Sequence, residues 1–179
     1  MKGGTRMIDE LIAWLEQDEA NSRPFRAERL QLLITEYGPE SIRVFHGGDI
    51  SMMAFEEARQ AYLHGLFLSC TIICQICLEH MLLSLFRQAG RNDLERATFQ
   101  ILLLEARRQE FLSQNEFEIF ARNRLTRNLY VHPRSPMSKN SLLHRVVKLD
   151  TPFEDLVVDD ARLAISALLS ICSRPPFAL

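Results

Sequence analysis

From Leu66 to Phe86 the chain reads LFLSCTIICQICLEHMLLSLF, and a helix drawn through this stretch is apolar on almost every side. Cys70, Cys74 and Cys77 fall at i, i+4 and i+7 in line with Leu63, Leu66 and Met81, while Ile72, Ile76, Leu78, Leu82 and Leu83 cover the remaining faces. A helix that is hydrophobic all round belongs inside a bundle or inside a membrane. The stretch is long enough to cross a bilayer, but it carries Gln75, Glu79 and His80. One charge at the centre of a span costs about 2.5–3.5 kcal/mol even on insertion scales, so the expectation is a central bundle helix and no membrane partner. Composition agrees: 47% apolar and 25% charged residues with only 7 Gly and 7 Pro mark a folded chain and disfavour all-β architectures.

The rest of the sequence fits around such a helix. Apolar residues recur every three and four positions, and alternation of period two is scarce. Helices are predicted over 6–18 and 24–37, ended by Gly38-Pro39, with 42–49 as a connection through Gly47-Gly48. A long helical region follows over 52–88, divisible at Gly65 and stopped by Gly90. Asp93 is expected to open a helix through Leu112, and Ser113-Gln114-Asn115-Glu116 has the spacing of a capping box for another that runs to Val131. Pro133 to Asn140 is a loop, and Asp159-Asp160 are expected to introduce a last helix ending near Cys172. The fold class is all-α: an antiparallel four- to five-helix bundle over 51–175, with 1–50 as an N-terminal helical extension. The N-terminus has acidic residues where a signal peptide has an apolar block, so a cytoplasmic location is expected.

The cysteines form the pattern CxxxCxxC, the spacing by which radical S-adenosylmethionine enzymes hold an iron–sulfur cluster. That motif sits on a loop above a barrel of parallel strands. On a helical stripe the same residues read as small apolar groups packed against a neighbouring helix, and neither metal nor cofactor nor disulfide is expected.

Charge is unevenly placed. From Ala121 to Lys148 there are seven basic residues and no Asp or Glu, which leaves 14 basic and 23 acidic residues, a net of −9, elsewhere. A local positive field on an acidic body suits a polyanion or an acidic partner surface. Within that segment lies RNLYVHP, residues 127–133. Helical projection places Asn128 on an apolar stripe with Phe117, Phe120, Ala121, Leu125 and Val131, and Arg124 beside it. Buried polar groups need partners, and Glu79 on the central helix is the expected one for Arg127. His132 precedes proline and is biased out of the helical conformation, which frees its ring to turn back to the helix end or to meet a second subunit.

Arginine followed by a polar residue and then, four residues on, by histidine at the end of a bundle helix resembles the HEPN superfamily. In a chain of this composition the bare Arg-x(4–6)-His spacing arises about 1.5 times by chance, and Arg59-Gln-Ala-Tyr-Leu-His64 has it too; requiring Asn, Asp or His after the arginine lowers this to about 0.16, and only RNLYVH remains. Arg59 and His64 read instead as a surface arginine and a helix-packing histidine. The resemblance spans about 52–172. It implies a homodimeric helical bundle and, in many members, a metal-independent endoribonuclease of toxin–antitoxin, phage-defence or RNA-processing systems, with an antitoxin or other protein as a further partner. Members paired with a nucleotidyltransferase antitoxin carry a tyrosine two residues after the histidine, where this chain has Arg134.

The residues suit that chemistry. Histidine titrates near neutrality and can move protons, and arginine grips phosphate through two donors. His132 is the candidate base or acid, Arg127 the stabiliser of the crowded phosphate, Asn128 a group that orients phosphate or histidine, and Glu79 the residue holding Arg127. Arg124, Arg134, Lys139 and Arg145 are candidates for contact with RNA. The alternative expectation is a non-catalytic HEPN-like module that binds a protein or nucleotide partner.

Overall fold

The computed structural model describes residues 3–37, 48–132, 135, 138–139 and 141–172; Gly38-Pro39, Gly47, Pro133 and Arg134 lie outside them. Every regular element among the described residues is helical. The helices are α1 (Gly3–Tyr37), α2 (Gly48–Leu63), α3 (Phe67–Gln88), α4 (Phe99–Arg108), α5 (Gln114–Val131), α6 (Leu142–Leu149) and α7 (Phe153–Cys172).

Gly65 splits the long apolar region into α2 and α3 because the chain turns there at φ +77°, a conformation that penalises any side chain with a Cβ. The two helices then lie side by side, and α3 also packs against α4, α5 and α7. Leu78, Leu82, Leu85 and Phe86 of α3 are fully enclosed together with Leu102, Leu103, Phe120, Ile165, Leu168 and Leu169. Ile76, expected on an interior face, is 38% exposed. In length and mean hydropathy α3 would suffice to cross a membrane, yet it is the helix the others surround.

The cysteine stripe turns toward α2. Cys70, Cys74 and Cys77 are completely buried, Cys77 Sγ donates to the carbonyl of Ser51 at 3.3 Å, and Cys70 and Cys74 sulfurs lie 4.0 Å apart. Burial pushes the thiols of Cys74 and Cys77 well above their ordinary range, so they are poor sources of the thiolate that metals bind. No cluster of three or more metal-ligating side chains occurs among the described residues.

Several expected boundaries move. One helix, α1, replaces the two predicted over 6–18 and 24–37, and it continues through Pro24. Side chains tie the turns before the proline to those around and beyond it: Gln17 to Asn21 at 2.9 Å, Arg23 to Glu19 at 3.3 Å and Arg26 to Glu19 at 3.5 Å. After α3 the chain forms a 3-10 turn, Asn92–Leu94, and α4 starts only at Thr98, whose hydroxyl caps the helix; Asp93 does not open a continuous helix to Leu112. The capping box Ser113–Glu116 forms as expected, with the Glu116 carboxylate accepting from the Ser113 N–H at 2.9 Å. The last helix begins six residues before Asp159, behind Pro152, with Glu154 and Asp155 in its first turn where the helix dipole favours anions. Asp160 therefore lies inside α7 and is buried.

Candidate functional site

Helix α5 presents an unusual face to the core. Its enclosed residues are Glu116, Phe120, Asn123 and Thr126, three of them polar, while Leu125 and Val131 are 58% and 39% exposed. The buried stripe is thus rotated from the one expected through Asn128, Leu125 and Val131. On the same side of the helix, Tyr130 meets the carboxylate of Asp160 on α7.

Asp160 accepts a hydrogen bond of 2.5 Å from the Tyr130 hydroxyl and binds both terminal nitrogens of Arg145, one of them at 2.5 Å. Three helices meet at this carboxylate, since Tyr130 lies in the last turn of α5, Arg145 in α6 and Asp160 in α7. Two cationic donors and a phenol satisfy an anion that would be costly to bury alone. Burial and the neighbouring Asp160 carboxylate hold the Tyr130 phenol well above its ordinary pKa, and the bond to Asp160 raises that of the Arg145 guanidinium.

Fastening α6 in this way opens a cleft of about 350 Å³ between α5 and α6. One wall repeats along α5 at helical spacing, with Arg122, Leu125, Asn128 and Leu129 facing in; the other comes from Lys139 and from Ser141, His144, Arg145 and Lys148. The lining contains five basic or imidazole side chains and no carboxylate. Its apolar floor with cationic edges matches the positive segment seen in the sequence.

The expected site residues take different places around this cleft. Asn128 lines it, and its side-chain oxygen accepts from Arg127 Nη1 at 3.3 Å. Arg127 is half-buried, and its Nε is enclosed without a hydrogen-bond partner, as are Asn123 Nδ2 on the same helix and Gln75 Oε1 on α3. Glu79 does not hold Arg127: it is half-buried on α3, and no ion pair or hydrogen bond joins the two. The rotation of α5 explains this, because the residues turned most fully to the core are Asn123 and Thr126. His132 caps α5 in the extended conformation that a following proline favours, φ −110° and ψ 113°, and it is exposed; its N–H donates to the carbonyl of Asn128 at 3.2 Å. Lys139 lines the cleft, Arg124 lies off its lining, and Arg145 lines it only while clasped by Asp160.

The reading of the other Arg-x(4)-His pair divides. Arg59 is half-buried with its Nε enclosed, pairs with Glu56 at 2.8 Å and lies over the ring of Phe55, while His64 is exposed just past the end of α2. Residues that the sequence reading passed over are Arg122, His144 and Lys148 in the cleft, and Tyr130 and Asp160 beneath it. His144 and Lys148 stand one turn apart on the polar side of a strongly amphipathic eight-residue helix, a signal that was available in the sequence.

Comparison with known protein families, with curated proteins and with solved structures finds no match to this chain.

Proposed function

We propose that the chain is an endoribonuclease of the kind the Arg-x(4)-His resemblance implies, a toxin, phage-defence or RNA-processing component that binds single-stranded RNA along the α5–α6 cleft. The observation that carries this reading is a carboxylate-free cleft edged by Arg122 of α5, by Lys139 and by His144 and Lys148 of α6, beside the helix that ends at the exposed His132. Phosphates are the natural occupants of such an edge, and Leu125 and Leu129 offer apolar surface to bases.

The reaction needs only groups that the chain possesses. A histidine takes the proton of the ribose 2′-hydroxyl, O2′ bonds to the adjacent phosphorus, and the bond from phosphorus to O5′ breaks as a second imidazole protonates the leaving oxygen. The products are a 2′,3′-cyclic phosphate and a 5′-hydroxyl. His132 supplies one imidazole, and His132 of a second copy or His144 supplies the other; Arg127, with Asn128 bonded to it, stabilises charge on the phosphate. A twofold dimer that brings two copies of His132 together completes the site.

Purified protein is expected to convert single-stranded RNA to cyclic-phosphate ends, His132→Ala to abolish cleavage while RNA is still bound, and Arg122→Glu with Lys148→Glu to weaken binding and flatten its salt dependence. Cleavage undiminished by His132→Ala would refute the catalytic role. A second reading, a module that binds RNA or protein in this cleft without cutting, is favoured by one observation: Arg145 and Arg127 are already engaged, by Asp160 and Asn128. It predicts RNA binding with no cleavage by the wild-type chain.

A further inference from the structure

From Met7 to Phe25 α1 touches little of the molecule. Every residue from Met7 to Asn21 is exposed, and among the described residues of the helix the first fully buried one is Leu33. At 1.5 Å per residue the arm from Leu33 to Ile8 is about 37 Å long. Along it Met7, Ile8, Leu11, Ile12, Trp14 and Leu15 form one apolar face, each between 48% and 63% exposed. Asp9 and Glu16 border this face on one edge and Glu10 on the other, and between Met7 and Ser22 there are five acidic residues and no basic one.

A continuous helix of that length cannot bend back to cover its own apolar face, so the cover is another molecule. Two arms pairing through this face would bring Asp9, Glu10 and Glu16 of one copy against the same carboxylates of the other. The apolar hollow of about 460 Å³ between the Gly65–Ser69 segment and the start of α7 has Glu154 as its one charged lining residue, again negative. Among the described residues the α5–α6 cleft has the opposite character, an apolar floor at Leu125 and Leu129 and a rim of Arg122, Lys139, His144 and Lys148.

We propose that the α1 arm of one copy docks in the α5–α6 cleft of a second copy, with Ile8, Leu11, Ile12 and Leu15 on the floor and Asp9, Glu10 and Glu16 against the cationic rim. Reciprocal exchange places two such contacts in one dimer, toward the 1,200–2,000 Å² or so that specific interfaces bury. In such a dimer the arm fills the cleft assigned above to RNA, so arm and RNA compete for it; the contact does not depend on RNA cleavage, and it is read without RNA.

Trp14, the single tryptophan, lies on the arm and reports the docking directly. Sedimentation and fluorescence of the full chain are expected to show a dimer whose Trp14 emission is blue-shifted and moves red on dilution. Leu11→Asp with Leu15→Asp, both at exposed positions, leaves the helical circular dichroism unchanged and yields a monomer with solvent-exposed Trp14. Arg122→Glu with Lys148→Glu weakens self-association about tenfold or more, and adding Glu10→Lys with Glu16→Lys restores it. Added salt weakens the contact. A chain that stays monomeric with exposed Trp14, an arm variant that dimerises as before, or a dimer strengthened by salt and indifferent to the cleft reversals each overturns the proposal; the last indicates arm-to-arm pairing.

Discussion

Replacing Asp160 by asparagine tests the keystone of the site. The carboxylate is 3% exposed at its side chain and Arg145 16%, and Asn cannot supply the two anionic oxygens that receive Tyr130 and both Arg145 nitrogens. Leaving one member of a buried ion pair without its partner costs about 3–5 kcal/mol. Arg145 keeps some access to water, which places the expected cost near the lower end, about 3 kcal/mol, or a fall in Tm of about 6–12 °C for a chain of this size. Helix α6 has no buried residue of its own, so it should be the part that loosens. Thermal unfolding measures the total, and hydrogen exchange of the α6 amides, such as the Arg145 N–H that donates to Ser141, measures where it is lost. The triple variant Tyr130→Phe, Arg145→Met, Asp160→Leu removes every charge and hydroxyl together and is expected to recover most of the stability. A loss below about 1 kcal/mol with α6 protection unchanged would refute the idea that this carboxylate holds the cleft together.

Three further outcomes are expected. Because the Tyr130 phenol is raised above its unfolded value of about 10, its contribution is fully present below pH 10 and is lost as pH rises through the higher folded value; Tyr130→Phe should remove that part of the alkaline fall in stability, and an unaltered profile would contradict it. In native protein a thiol reagent should leave Cys70, Cys74 and Cys77 unmodified and reach at most Cys172, with all four reacting in denaturant; rapid native labelling of the stripe would show that the α2–α3 contact opens. Ser113→Ala removes the hydroxyl that accepts from the Glu116 N–H and should cost about 0.5–2 kcal/mol by denaturant titration, whereas no change would mean the capping box is dispensable.

The central helix and its neighbours were legible because their signals are local. An all-round apolar stretch has to be enclosed, a Ser-x-x-Glu spacing satisfies the N–H groups beside it, and a residue before proline leaves the helical region wherever it is placed. Where the reading failed, a distant partner decided the outcome. Projection by hydrophobicity put Leu125 and Val131 inside α5 and Glu79 against Arg127; the structure instead encloses Asn123 and Thr126 and carries Tyr130 to Asp160 on α7. Asp160 was itself misread as a helix opener, since from the sequence alone an acidic pair looks the same at a helix start as within one.

The sequence by itself determined the helical class, the burial of α3 with its cysteines, the capping box and the outward turn of His132, all set by periodicity and backbone sterics within a few residues. Only the tertiary structure decided which face of α5 is buried, that Arg145 belongs to Asp160, that Arg122, His144 and Lys148 share a cleft, and that the apolar, acidic end of α1 stands clear of its own bundle. Those outcomes depend on groups far apart in the chain, and no local pattern records that Tyr130 and Arg145 will meet the carboxylate of Asp160.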